Sequence, residues 1–326
     1  MLRATAKIKL NAVVWIMSPD DDDERQSTEQ VLTFLEAFLQ AKQIPFVKVE
    51  PKTAKELQDF LKLIEQRAKA GLRPIIHFDT HGGQKDGLYI ATSKEFVPWR
   101  ELVQWLRPVN VATQNNLCIV SAACFSLHTI MELDVTAASP FFVMFAPQHT
   151  VTFGFIEDRM FGFYEDVFTS LDVMLAHERH LAPNLQSYHC QRLLLKSLTG
   201  YIRDSCIGRG KRKRVRSLVR KSLGPGKQHP DTPEFRSVAR RVARAIIRPN
   251  QALIDRYARP FLMGQTLSIG IAEILPFARA DALKRNVLLR RAARTKRRNR
   301  RVHDARRRLF RALKRRRPVP HLAAPR

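Results

Sequence analysis

Two short stretches hold the residues whose types and spacing could do chemistry. "RPIIHFDTHGG", residues 73–83, leads an apolar run into His77, Asp79 and His81, with Gly82 and Gly83 behind them. "LCIVSAACFS", residues 117–126, leads a second apolar run into Ala122, Ala123 and Cys124. Side chains alternate faces along a strand, so His77, Asp79 and His81 would share one face, and three N/O ligands arranged in that way can hold zinc or iron. A catalytic metal site usually draws further ligands or outer carboxylates from elsewhere, whereas His128 and His149 form no ligand cluster. The glycine pair also ends the strand, and the alternation with it, at His81.

The other chemistry is nucleophilic. A cysteine at the end of a strand, with a helix starting behind it, gains from the helix N-terminus, which lowers a thiol pKa. A histidine across the cleft completes the pair by relaying a proton to the leaving amine. The backbone N–H groups of Gly82 and Cys124 can serve as oxyanion donors, and glycine after the histidine leaves room for a substrate carbonyl. The bland alternative is packing. A cysteine on an apolar strand is usually a small hydrophobe, which is the reading given to Cys118. The pairing favours chemistry: His81 and Cys124 each close a core strand, and each has small neighbours.

These two stretches, "IIHFDTHGG" and, 43 positions later, "IVSAACFS", resemble the caspase-like cysteine peptidases: caspases, metacaspases and especially the bacterial CHAT-type enzymes. The resemblance spans roughly residues 10–205. It implies His81 and Cys124 as a catalytic dyad, Gly82 as an oxyanion donor, no cofactor and no catalytic metal. It also implies, more loosely, a regulated effector that cuts a protein partner in a bacterial immune, antiviral or cell-death pathway. Two motifs depart from the family. Only Ala123-Cys124 survives of the caspase pattern Gln-Ala-Cys-x-Gly, and Ala122-Ala123 stands where metacaspases have Asp-Cys before the nucleophile. Substrate preference therefore does not transfer. The candidates for a substrate pocket are Asp21 in the acidic stretch "SPDDDDE", Asp79, Asp86 and Ser121. Family members place specificity residues in the loop after the first strand, and acidic residues there would favour a basic residue before the scissile bond. A solvated acidic loop is the plainer reading of that stretch.

The elements that must position these residues alternate between two periods. "AVVWIM" is a continuous apolar run, as expected of a strand buried on both faces. "STEQVLTFLEAFLQAKQ" starts with a capping box, Ser27 to Gln30, and puts Val31, Phe34, Leu35, Phe38 and Leu39 on one helical face. "IPFVKVE" is strand-like. A second helix is capped by Thr53 and Glu56, buries Leu57, Phe60, Leu61 and Ile64, and stops at Gly71. The His81 strand follows, then a short hairpin containing "GLYIA". A helix begins near Pro98 and turns Trp99, Leu102, Val103 and Leu106 inward. The Cys124 strand and "FFVMFAP" complete the set, and helices follow to about residue 202, one of them with Phe161, Tyr164, Phe168 and Leu171 on a stripe. Strands alternating with helices predict an α/β fold, a parallel-rich sheet with helices on both faces, whose carboxyl edge gathers the chemistry.

Charge divides the chain. Of 326 residues with a formal net charge of +27, those from Arg209 onward hold 36 Lys and Arg against 6 Asp and Glu, a net of +30, while residues 1–208 are near neutral at −3. The expected organisation is a peptidase domain over 1–207, a basic Gly/Pro-containing linker over 208–234, and an Arg-rich helical extension over 235–326 with a disordered end. The basic third calls for an anionic partner: nucleic acid, an acidic protein or an anionic membrane surface. It carries few aromatics and no helix-turn-helix, zinc-finger or RNP signature, which argues against base-specific reading. Four cysteines without a CxxC pair exclude a disulfide scaffold and a zinc ribbon, and point to a reducing compartment. The N-terminal apolar core is too short for a signal peptide, and "FLMGQTLSIGIAEILPF" is too interrupted to span a membrane, so a cytoplasmic protein is expected.

Overall fold

A computed structural model describes residues 8–315 except 183, 225 and 268. In chain order the elements are β1 (Ala12–Ser18), α1 (Asp22–Ala41), β2 (Phe46–Val49), α2 (Ala54–Lys69), β3 (Pro74–Thr80), β4 (Gly82–Gly83), β5 (Gly87–Ile90), β6 (Glu95–Val97), α3 (Trp99–Ala112), β7 (Cys118–Ser121), β8 (Val143–Pro147), α4 (Phe153–Ser170), α5 (Val173–Ala176), β9 (Leu185–His189), α6 (Cys190–Tyr201), α7 (Gly208–Ser222), α8 (Pro233–Ile246), α9 (Gln251–Phe261) and α10 (Ile271–Arg315). Six strands form one sheet in the order β2-β1-β3-β7-β8-β9, and β4, β5 and β6 form a small separate sheet. The large sheet is parallel except for β9, which runs antiparallel to β8. The predicted α/β class and parallel-rich sheet are what the chain adopts.

Helices cover both faces, and the alternation along each strand decides which side chain meets which layer. Val14, Ile16, Ile76, Phe78 and Ile119 join Leu57, Leu61 and Ile64 of α2 and Leu102 and Leu106 of α3 in one core. On the opposite face Trp15 and His77 meet Tyr164 of α4, and Asp79 meets Thr28 of α1. Burying strands on both faces is why β1 and β7 read as apolar runs, and why β3 is apolar except for the buried His77 and Asp79 and its terminal Thr80.

Several helix expectations hold, and some are corrected. Thr53 caps α2 by accepting the Glu56 N–H at 3.1 Å, and Gly71 follows the helix with φ +110°. The α1 cap lies six residues earlier than Ser27: Asp21 is the N-cap and accepts the Glu24 N–H at 2.9 Å. Asp22, Asp23 and Glu24 then occupy the first turn, where carboxylates suit the helix dipole. The acidic stretch is thus a helix start rather than a loop. On α1 Phe34 faces solvent at 68% exposure and Leu32 takes the inward place. On α4 Leu171 is likewise exposed, as a left-handed C-cap, and Phe163 and Val167 fill the inward stripe.

Two compact units divide the chain differently from the expected boundary at 207/208. The first comprises residues 1–198 and 250–271, the second 199–249 and 272–326. Residues 250–271 belong to the first because α9 is anchored there: the Ser139 N–H bonds the Phe261 carbonyl at 2.9 Å, and the Gln265 side chain bridges Asn115 and the Gln114 carbonyl. In the second unit, most of the first half of the expected linker is helix α7. Val215, Leu218 and Val219 of α7 pack on Ala243 of α8 and on Ile247, which caps α8, a helical spacing that the surrounding Lys and Arg conceal. The extension is helical through Arg315, and the expected disordered end lies outside the described residues. No helix among the described residues is long and apolar enough to cross a membrane.

Candidate active site

His81 and Cys124 follow the ends of two paired parallel strands. β3 pairs with β7 from Ile75↔Cys118 to Phe78↔Ser121, and the Ala122 N–H continues the ladder to the Phe78 carbonyl at 2.8 Å. His81 and Cys124 each lie three residues beyond the last pair, so they share its offset of 43. Gly82 confirms the approach, since a Cβ there would overlap the Cys124 carbonyl oxygen. The space that glycine leaves after the histidine is therefore filled by the backbone of Cys124 itself.

His81 is held from several sides. Its carbonyl accepts the Tyr89 N–H at 3.0 Å and the Thr80 hydroxyl at 3.1 Å. The glycine turn behind it is pinned by the Trp99 indole N–H, which donates to the Gly83 carbonyl at 3.1 Å. The imidazole lies between Tyr89 and Phe153, with ring centroids 6.3 and 6.0 Å away. Its Nε2 is 2.9 Å from a carboxylate oxygen of Glu24. A small cleft at the carboxyl ends of β1 and β3 is lined by Ser18, Pro19, Glu24, Asp79, His81 and Phe153.

Cys124 is half-buried, whereas Cys118, Cys190 and Cys206 are buried free thiols. Burial raises the pKa of Cys118 far above its usual value, that of Cys190 to about 12, and that of Cys206 also upward. Of the four thiols, only that of Cys124 is open to an outside electrophile. The helix expected behind it is a seven-residue 3-10 turn, Ser126–Glu132, entered through a left-handed Phe125. So short a turn has only a weak dipole to offer. The sulfur instead meets the Val151 N–H at 3.4 Å. The same segment places the His149 carbonyl on the Phe125 N–H at 3.3 Å and Phe153 on His81, so residues 149–153 form a strap across both members of the pair.

The other singled-out residues have separate places. His77 is buried, stacked on Trp15 with centroids 3.6 Å apart, and its Nδ1 meets the Tyr164 hydroxyl at 2.9 Å. Burial lowers its pKa to about 3, so it stays neutral. Asp79 is buried and accepts the Thr28 hydroxyl at 2.9 Å; burial pushes its pKa up to about 6. The metal reading of His77, Asp79 and His81 is corrected by these partners: each side chain is engaged elsewhere, and among the described residues no three His, Cys, Asp or Glu gather as a metal-binding group. Asp21 spends its carboxylate on the α1 cap. Asp86 is exposed at the hairpin tip and folded against Gly83, and Ser121 is buried at the end of β7. The residue that sequence reasoning missed at this site is Glu24; its only sequence signal was the capping-box spacing from Asp21. No protein-family model matches the chain, and no curated protein matches it.

Proposed function

We propose that the first unit is a cysteine endopeptidase of the caspase-like kind, with Cys124 as nucleophile and His81 as acid and base. One observation supports this reading: Cys124, the cysteine of the four that is not buried, follows the end of β7, and His81 follows the end of its parallel neighbour β3 at the carboxyl edge of the sheet. In the proposed reaction His81 takes the Cys124 proton and the sulfur attacks the scissile carbonyl carbon. The C–N bond breaks as His81 passes the proton to the leaving amine. Water then attacks the thioester, giving its proton to His81 and freeing the acid product and the thiol. Backbone N–H groups of Gly82 and Cys124 are the proposed donors to the oxyanion. The protein substrate, and a role as a regulated effector in bacterial defence or cell death, follow from the family resemblance. The test is cleavage of a peptide or protein library by wild type, Cys124→Ala and His81→Ala, with and without a chelator. Both variants are expected to lose cleavage by 100-fold or more, on the order of a lost acid–base or nucleophilic group, and chelator is expected to change nothing. Cleavage that persists in Cys124→Ala, or that chelator abolishes, counts against the reading.

A second reading, an anion-binding module, is favoured by the second unit. Between α7 and α8 lies a cleft of about 210 Å³ lined by Arg216, Arg220, Arg236 and Arg240 with Asp231. Asp231 pairs with Arg236, while among the described residues Arg216, Arg220 and Arg240 have no ion-pair partner. Three arginines without an ion pair of their own, converging from two helices beside the Asp231–Arg236 pair, suit a phosphate.

A further inference from the structure

We propose that Glu24 is a positioning residue for His81: its carboxylate takes the Nε2–H of the imidazole and so leaves Nδ1 to exchange the proton of Cys124. The catalytic consequence rests on the peptidase reading above, but the geometry does not. Glu24 lies in the first turn of α1, and its side chain is only 14% exposed. One of its oxygens, Oε2, is 2.9 Å from His81 Nε2 and also accepts the Asp20 N–H at 2.9 Å. Its own N–H is tied to Asp21. The carboxylate is therefore fixed at both ends, by its backbone and by its acceptor oxygen. The topology makes the meeting unavoidable: β1 pairs with β3 through Ser18↔Thr80, so the helix that starts just after β1 opens beside the residue that follows β3.

An ionised carboxylate only accepts, so the nitrogen facing it carries the hydrogen. In the neutral ring the other nitrogen is then the acceptor, which is the tautomer a base for a thiol needs. When Nδ1 takes the thiol proton, the ring becomes a cation, and the Glu24 charge beside Nε2 balances it. The proton later leaves from Nδ1 to the amine, while the Nε2–H never moves. The titratable groups around the ring are Glu24 from α1, Asp79 from β3 and Tyr89 from β5; Phe153 supplies an apolar wall. Asp79 is the second carboxylate, but its oxygen is taken by Thr28, which leaves Glu24 as the one that touches the ring.

The test uses the full chain with ¹⁵N-labelled histidine, the His81 signals being identified by their loss in His81→Gln. Wild type near neutral pH is expected to show the Nε2–H tautomer at His81. Alkylation of Cys124 by iodoacetamide, followed by mass spectrometry across pH 5–9, reads the pair without any peptide substrate. Glu24→Gln keeps an acceptor for the Asp20 N–H but lacks the charge. It is expected to slow Cys124 alkylation about tenfold. Glu24→Ala is expected to release the tautomer as well, and circular dichroism reports whether α1 survives in it. An Nδ1–H tautomer in wild type overturns the proposal, as does Glu24→Gln alkylating at the wild-type rate. If alkylation depends on Glu24 and His81 but no peptide is cut, the positioning role stands and the peptidase reading falls. If Cys124 is needed for cleavage and the Glu24 variants match wild type in every readout, the reverse holds.

Discussion

Asp79 is the residue whose environment has the clearest consequence for stability. Burial lifts its pKa from 3.8 to about 6, so between those values the folded chain holds the proton more tightly than the unfolded chain. Stability therefore falls as pH rises from about 4 to about 6 and stays reduced above that, by about 3 kcal/mol at 1.36 kcal/mol per unit. Asp79→Asn retains an acceptor for Thr28 and has no charge to bury. The difference in urea-unfolding free energy between pH 4 and pH 7 is expected to shrink by about 2 kcal/mol in this variant, and an unchanged difference would refute the assignment. The places of His81 and Cys124 just past two strands were legible in the sequence because a largely apolar stretch leads up to each. Glu24 was not, because its contact with His81 spans 57 residues of chain and two capping boxes competed for the same helix start. Ser27 with Gln30 and Asp21 with Glu24 have the same spacing, and the earlier box prevails by adding three carboxylates to the first turn. His77 misled as a ligand because a histidine neutralised by burial and stacking looks, in sequence, like one free to bind.

At the scale of elements, the contact between the glycine turn and the end of β7 sets the geometry of the site. A methyl group at residue 82 would overlap the Cys124 carbonyl, so Gly82→Ala must push β4 away from the thiol. The expected cost is about 1–3 kcal/mol of stability, as for overpacking elsewhere. Cys124 alkylation is expected to slow with no loss of overall secondary structure. Thermal melts paired with alkylation rates check both, and a variant that alkylates like wild type would show that the turn does not hold the pair together. The parallel core strands β1, β3, β7 and β8 were readable because they are buried along nearly their whole length. β9 was not, since Leu185–His189 mixes polar and apolar residues on an antiparallel edge. Helix α7 was hidden for a different reason: three apolar residues among eight Lys and Arg make a thin stripe, enough to pack on α8 but too little to stand out.

For the whole molecule, charge and chemistry belong to different units. The near-neutral sheet carries the His81–Cys124 pair, and the basic unit carries the arginine cleft. If that cleft holds phosphates, binding must weaken with salt, because each neutralised phosphate releases a counterion. A duplex DNA probe titrated against the full chain is expected to give log Kd rising linearly with log salt. Arg216→Ala, Arg220→Ala and Arg240→Ala together are expected to reduce that slope by about 3, with Cys124 alkylation unchanged. Binding insensitive to salt, or a slope the triple variant leaves alone, would remove the cleft from consideration. Net charge by itself showed a basic region but not where its cations converge, since that depends on how α7 lies against α8.

The shared offset of 43 between β3 and β7 carries a further consequence. A parallel ladder can slip, and a slip of one residue would set Cys124 beside Thr80 or Gly82 in place of His81 and would turn the apolar side chains of the strand toward the wrong layer. The reactivity of one sulfur atom is thus a gauge of sheet registration. During refolding, the moment at which Cys124 becomes fast toward an electrophile marks the moment at which two strands have found their place.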